Sequence, residues 1–210
     1  DALSGDGEKS DAVASKLKEI YDDPSLDDKT RQEAAALAGK VAIQSDPNAE
    51  QLSKNLIASF DELTNEDSTS AEDLLRSIVP QEVLNDQQAF NDMIDALLSA
   101  SDAYLALGES INTDSTYISD SELGDSVQLG AVAVAVEASL DSLDGSFTGG
   151  PYTSDEYNTL YGIVNGTDSF PDSNSDGIPD TDPMDAFDDS TSTHYDGMVY
   201  LLEAADLSFS

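Results

Sequence analysis

After Arg76 the chain contains no lysine and no arginine. The 134 residues that follow carry 26 Asp and Glu, so nearly two thirds of the molecule must fold with almost no positive charge of its own. All eight basic residues (Lys9, Lys16, Lys18, Lys29, Arg31, Lys40, Lys54 and Arg76) stand in the first 76 positions, beside 18 acids. With a single histidine, His194, the formal charge of the 210 residues is −36. Self-repulsion on this scale opposes a compact state unless salt, bound metal or a cationic partner offsets it. Two environments meet that need: a salty cytoplasm, or an extracytoplasmic space rich in calcium.

The same charge excludes classes of function. Nucleic-acid binding requires clustered Lys and Arg against phosphate, and so does adhesion to anionic lipid. No uninterrupted apolar run approaches the roughly 20 residues of a spanning helix, so no transmembrane segment is expected. The chain has no cysteine, which removes disulfides, thiolate metal sites and cysteine nucleophiles.

Helical periodicity dominates the first two thirds. Val13, Leu17, Ile20 and Tyr21 predict a helix over about 10–21, stopped at Asp23-Pro24. Asp27 is placed to cap a second helix (28–44), and Asp46-Pro47 joins a cap to proline at the first helical position of a third, which runs to about 63. A short helix with Leu74, Leu75 and Ile78 ends at Pro80, and an amphipathic stretch covers about 81–107. Over 127–143, Val132, Val134 and Val136 alternate as a strand would. The stripe Leu129, Val132, Val136, Leu140 and Leu143, filled in with alanine, predicts a buried central helix instead. Three glycines and a proline within 144–151 mark a loop or linker. Helices at about 154–164 and 193–206 then flank an Asp-rich loop, 165–192.

The expected fold class is therefore mainly α: an irregular array of antiparallel helices with a loop-rich C-terminal segment. Residues 1–8 form a flexible leader, 9–144 a helical domain, 145–152 a linker or loop, and 153–210 a segment packed on the helical body.

One stretch carries chemistry. Asp172, Asn174 and Asp176 alternate, then Gly177 permits a sharp turn, Ile178 offers a carbonyl, and Asp180 stands in reach directly or through water. Asp182 and Asp185 are the next acids. The string Asp172-Ser-Asn-Ser-Asp-Gly-Ile-Pro-Asp180 resembles the calcium loops of thrombospondin type 3 repeats and the EF-hand-type loops of bacterial surface proteins, whose pattern is D-x-[DN]-x-D-G-[IL]-x-D. The resemblance covers about 14 of the 210 residues and implies Ca²⁺ held by Asp172, Asn174, Asp176, Ile178, Asp180, Asp182 and Asp185. Two departures stand against it: Pro183 occupies the position of the bidentate Glu, and the loop occurs once instead of in tandem. Asp188, Asp189 and Asp196 are weaker candidates for a second ion.

No catalytic constellation accompanies the loop. His194 lacks a G-x-S-x-G elbow, and its place at a helix start predicts a structural or exposed role. Gly39-Lys40 lacks the remaining glycine and hydroxyl of a phosphate loop. The expected function is a non-enzymatic, exported, cell-surface or periplasmic protein, stabilised by calcium and working through a protein partner or self-association. A surface filament subunit is one form of it, with an apolar patch on the 81–107 or 193–206 helix. A lipoprotein is another, its lipid anchor lost before Asp1. The alternatives are a haloadapted protein whose acidity is solvation alone, and a carboxylate-based hydrolase.

Overall fold

The Asp and Pro punctuation of the chain sets its helix ends. A computed structural model describes residues 7–63, 71–113, 116–145, 147–172, 180, 181, 183 and 193–205, with the side chains of 7–11, 59–63, 71–74, 113 and 144 excepted. The described residues are 78% helical and form eight α-helices, with no strand among them. They are α1 (Gly7–Tyr21), α2 (Asp28–Ser45), α3 (Pro47–Leu63), α4 (Ala71–Ile78), α5 (Gln87–Thr113), α6 (Asp120–Asp144), α7 (Ser154–Asn165) and α8 (Asp196–Ala204).

Asp27 caps α2 by accepting from Thr30 N–H at 3.0 Å. Asp46 does the same for α3, accepting from Asn48 and Ala49 N–H, both at 2.8 Å, ahead of Pro47. Two capping boxes add to these, one at the start of α7, which begins at Ser154 as the sequence predicts, and one at the start of α6, which lies earlier than predicted. Ser119 with Glu122, and Thr153 with Glu156, form reciprocal capping boxes for α6 and α7.

Those caps explain two differences from the expected bounds. The Ser119 box opens α6 at Asp120, seven residues before the expected start at 127. At the other helix, Pro80 is followed by a 3₁₀ turn over Val83–Asn85, so α5 starts at Gln87, where the Asp86 carboxylate accepts from Ala89 N–H. The alternating valines of 127–143 lie in helix α6. Of the expected leader, 1–6 lies outside the described residues, whereas Gly7 and Glu8 already belong to α1.

Helix α5 is the hub, touching α2, α6 and α8. Its Phe90, Met93, Leu97, Ala100, Ala103 and Leu107 are fully buried. Leu160 and Ile163 of α7, and Met198, Leu201 and Leu202 of α8, belong to the same core, so the C-terminal segment is built into the helical body. At about 25 cal/mol per Å² of apolar surface, this shared core is the main favourable term opposing the charge repulsion.

Two close approaches fix the hub. Tyr104 lies flat over Gly39, where an added Cβ would sit 2.5 Å from the ring, so Gly39 serves packing between α2 and α5. On the other side a Cβ at Gly108 would lie 1.6 Å from the Gly197 carbonyl oxygen, so α5 and α8 meet backbone to backbone.

By composition α6 is long and apolar enough to cross a membrane over Asp120–Leu143, because alanine and valine raise the mean hydropathy between its acids; 72% of its most apolar 18-residue stretch is buried inside the protein. The apolar patch expected on the 81–107 or 193–206 helix is absent among the described residues, because the core takes up those faces. Leu26, Leu37 and Tyr117 are the large apolar side chains left exposed there.

Candidate functional site

Helix α6 buries two carboxylates one turn apart, Glu137 and Asp141, each only 3% exposed. A buried carboxylate is tolerated only with hydrogen-bond donors around it. Asp141 has three. Its Oδ2 accepts from Gly149 N–H at 3.0 Å and from the Tyr195 hydroxyl at 2.8 Å, and its Oδ1 from the Tyr152 hydroxyl at 2.7 Å. Burial nevertheless raises the Asp141 carboxyl above the ordinary aspartate value, the donors offsetting it in part. Burial and the neighbouring carboxylates together hold the Tyr152 and Tyr195 phenols protonated, far above their usual range.

Glu137 is held from both sides. One oxygen accepts from the Ser101 hydroxyl of α5; the other lies 3.4 Å from His194 Nε2 and 3.4 Å from the Tyr152 hydroxyl. The hydrogen bond to Glu137 raises the His194 imidazole above its ordinary value against the opposing effect of burial, with further help from Asp141 and Asp102. The ring stands edge-on to Tyr195 at 4.8 Å. On the loop before α7, a Cβ at Gly149 would lie 2.7 Å from the imidazole, and Gly149 itself is left-handed at φ 74°. Only glycine suits that position on both counts.

The network opens on a cleft of about 460 Å³ between α5, α6, α7 and the cis Gly150-Pro151 bond. Asp95, Asp102 and Glu137 line it with Tyr152 and Tyr157, and Tyr157 donates to Asp95 at 2.5 Å. Asp102 is open to solvent at the cleft. The concave wall crowds it with protein atoms, and this desolvation raises its carboxyl, Lys18 of α1 acting in the opposite sense. The Ser101 hydroxyl bonds Glu137, and His194 reaches the other oxygen of the same carboxylate. That is not the Ser–His–acid order of a nucleophilic triad.

Of the residues predicted to hold calcium, Asp172 and Asp180 fall among those described. Asp180 N–H donates to the Pro171 carbonyl at 2.7 Å, which draws the two ends of the loop together. Asn174, Asp176, Ile178, Asp182 and Asp185 lie outside the described residues, as do Asp188 and Asp189 of the second candidate group. Among the described residues no group of three or more His, Asp or Glu has the arrangement of a metal site. His194 is half-buried, with its Nε2 3.4 Å from Glu137.

A second concavity of about 360 Å³ lies between α2 and α6, lined by Leu37, Lys40, Tyr104, Ile118 and Leu129, with Lys40 Nζ 3.8 Å from Asp125. No family model matches the chain, and neither a curated protein nor a solved structure gives a significant match.

Proposed function

We propose that this is a non-enzymatic, exported or cell-surface acidic helical protein, stabilised by calcium and acting through protein–protein contact. The observation that carries this reading is the union of a C-terminal stretch without lysine or arginine and a calcium-type sequence string inside it. A divalent ion held by Asp172, Asn174, Asp176, the Ile178 carbonyl and Asp180, with Asp182 or Asp185 completing the shell, would neutralise charge where the sequence supplies no cation. Metal binding would then be folding free energy. The Asp180–Pro171 hydrogen bond supports it by closing the loop on itself. Contact with a protein partner, or with a second copy in a filament, is supported by the α2–α6 concavity, whose Leu37 is 50% exposed.

The test is calorimetric titration of chelator-treated protein with calcium. One ion per chain at micromolar to millimolar affinity is expected, abolished in Asp176→Ala. Heat equal to the buffer blank would sink the calcium assignment and move the haloadapted reading to first place.

A carboxylate-based hydrolase is the second reading, favoured by Asp95, Asp102 and Glu137 sharing one cleft. Glu137 is engaged by Ser101, Tyr152 and His194, which leaves Asp102 as the acid with a raised carboxyl open to a substrate. Hydrolysis of a polymeric glycan that disappears in Asp102→Asn would establish this reading over the first.

A further inference from the structure

The concavity between α2 and α6 has a hydroxyl group on its floor. Tyr104 of α5 crosses beneath it: an added Cβ at Gly130 of α6 would lie 3.2 Å from the Tyr104 Cβ, and one at Gly39 of α2 would lie 2.5 Å from its Cζ. The ring therefore runs from α6 to α2, with its hydroxyl end against α2. Tyr104 lines the concavity and is only 1% exposed. No described residue hydrogen-bonds its hydroxyl. Burial raises the phenol far above its usual range and Asp125 adds to the rise, so the group stays protonated and neutral. A buried hydroxyl left without a partner is costly, and a bound group that completes its hydrogen bond would relieve that cost.

The walls and rim narrow the choice of occupant. Leu37, Ile118 and Leu129 make the walls apolar, and Leu37 stands half exposed at the edge. Glu33, Glu122 and Asp125 face Lys40 around the rim. Lys40 Nζ lies 3.8 Å from Asp125 with both side chains well exposed, and such a pair holds the carboxylate only weakly. An anion would meet this acidic rim on a chain of formal charge −36, so a cation is favoured. The Tyr104 oxygen and the Asp125 carboxylate both accept hydrogen bonds, so a group that serves the two must offer more than one donor. A primary ammonium on an apolar stem does so, and lysine is the side chain with that form. A second copy of this chain brings the same excess of acids, which favours a basic partner over self-association.

We propose that the α2–α6 concavity is a socket for a lysine side chain of a basic protein partner, its methylenes along Leu37, Ile118 and Leu129 and its ammonium on the Tyr104 hydroxyl and Asp125. The assignment rests on the protein-contact reading above and is independent of the calcium loop.

The test follows the methyl resonances of Leu37, Ile118 and Leu129 in the intact chain at constant ionic strength. The probes are three capped tripeptides: leucine–lysine–leucine and its norleucine and glutamate counterparts. The lysine peptide is expected to shift those methyls, the norleucine peptide to bind about tenfold more weakly, and the glutamate peptide not to bind. Tyr104→Phe should weaken the lysine peptide about tenfold and leave the norleucine peptide unchanged. Without peptide, the same variant should keep or raise the melting temperature, since no group loses a partner. A lower one would show that the hydroxyl serves the fold, and would overturn the socket. Asp125→Asn, a surface change, should also weaken the lysine peptide alone. Lysine-peptide affinity equal in wild type and both variants would reduce the binding to diffuse attraction by the chain's charge and overturn the proposal. Norleucine binding as tightly as lysine would overturn the lysine assignment and leave protein contact standing, whereas no shift from any peptide would take the concavity out of both. Butylamine binding as tightly as the lysine peptide would reassign the site to a free amine. A dimer that Tyr104→Phe dissolves would reassign it to a second copy, and either result overturns the basic partner.

Discussion

Gly108→Ala should be among the most damaging single-methyl changes available to this chain. A Cβ at Gly108 would lie 1.6 Å from the Gly197 carbonyl oxygen and 2.4 Å from its carbonyl carbon. These are backbone atoms of α8, so no rotamer change can make room, and α8 must move as a body. Overpacking against side chains typically costs 1–3 kcal/mol; with rigid backbone opposite, about 3 kcal/mol is expected. For a chain of this length that lowers the melting temperature by roughly 6–12 °C. Gly124→Ala is the matched control. It lies within α6, and nothing approaches its added Cβ within 4 Å. Relieving a helical glycine there should stabilise by up to about 1 kcal/mol. Calorimetry of the two variants, one methyl each and opposite in sign, would check the geometry directly; equal effects would mean that α5 and α8 do not touch.

Asp141→Ala should cost about 3–5 kcal/mol, for a different reason. The substitution deletes the shared acceptor of Gly149 N–H and of the Tyr152 and Tyr195 hydroxyls. Each donor left buried without an acceptor costs about 1–3 kcal/mol. Tyr152 retains a long contact with Glu137 at 3.4 Å, which keeps the total below the sum of three. Asp141→Asn preserves an acceptor oxygen but turns an amide N–H₂ toward donors, so it should fall between Ala and wild type. Urea unfolding measures the series. A loss below 1 kcal/mol for Asp141→Ala would show that the network does not hold the loop and α8 in place.

The helices were largely legible in the sequence because their signals are local. Periodic Leu, Ile and Val, with Asp caps and Pro stops, place α2 and α3 nearly to the residue. The Ser119-x-x-Glu122 and Thr153-x-x-Glu156 boxes were equally local and could have fixed the starts of α6 and α7. The site was less accessible. Glu137 and Asp141 sit at i and i+4 in an otherwise apolar run, and two acids one turn apart on a buried helix are a readable anomaly. Their partners are not, since Ser101 is 36 residues and His194 57 residues away from Glu137 along the chain. Which acids of 44 would be buried depends on how α5, α6 and α8 dock, and docking rests on glycine contacts that leave no pattern. The calcium-type loop is the reverse case, plain as a motif, with five of its seven candidate ligands outside the described residues.

Thermal unfolding of chelator-treated protein, in calcium and in magnesium against sodium at matched ionic strength, tests the central claim most directly. A calcium-bound loop stabilises by RT ln(1 + [L]/Kd), about 2.7 kcal/mol at a hundredfold excess over Kd, and so raises the melting temperature well beyond what screening alone gives. The expected result is a rise specific to calcium, small in magnesium and missing from Asp176→Ala. Equal stabilisation by sodium at the same ionic strength would contradict it, and the acidity of the chain would then be solvation alone.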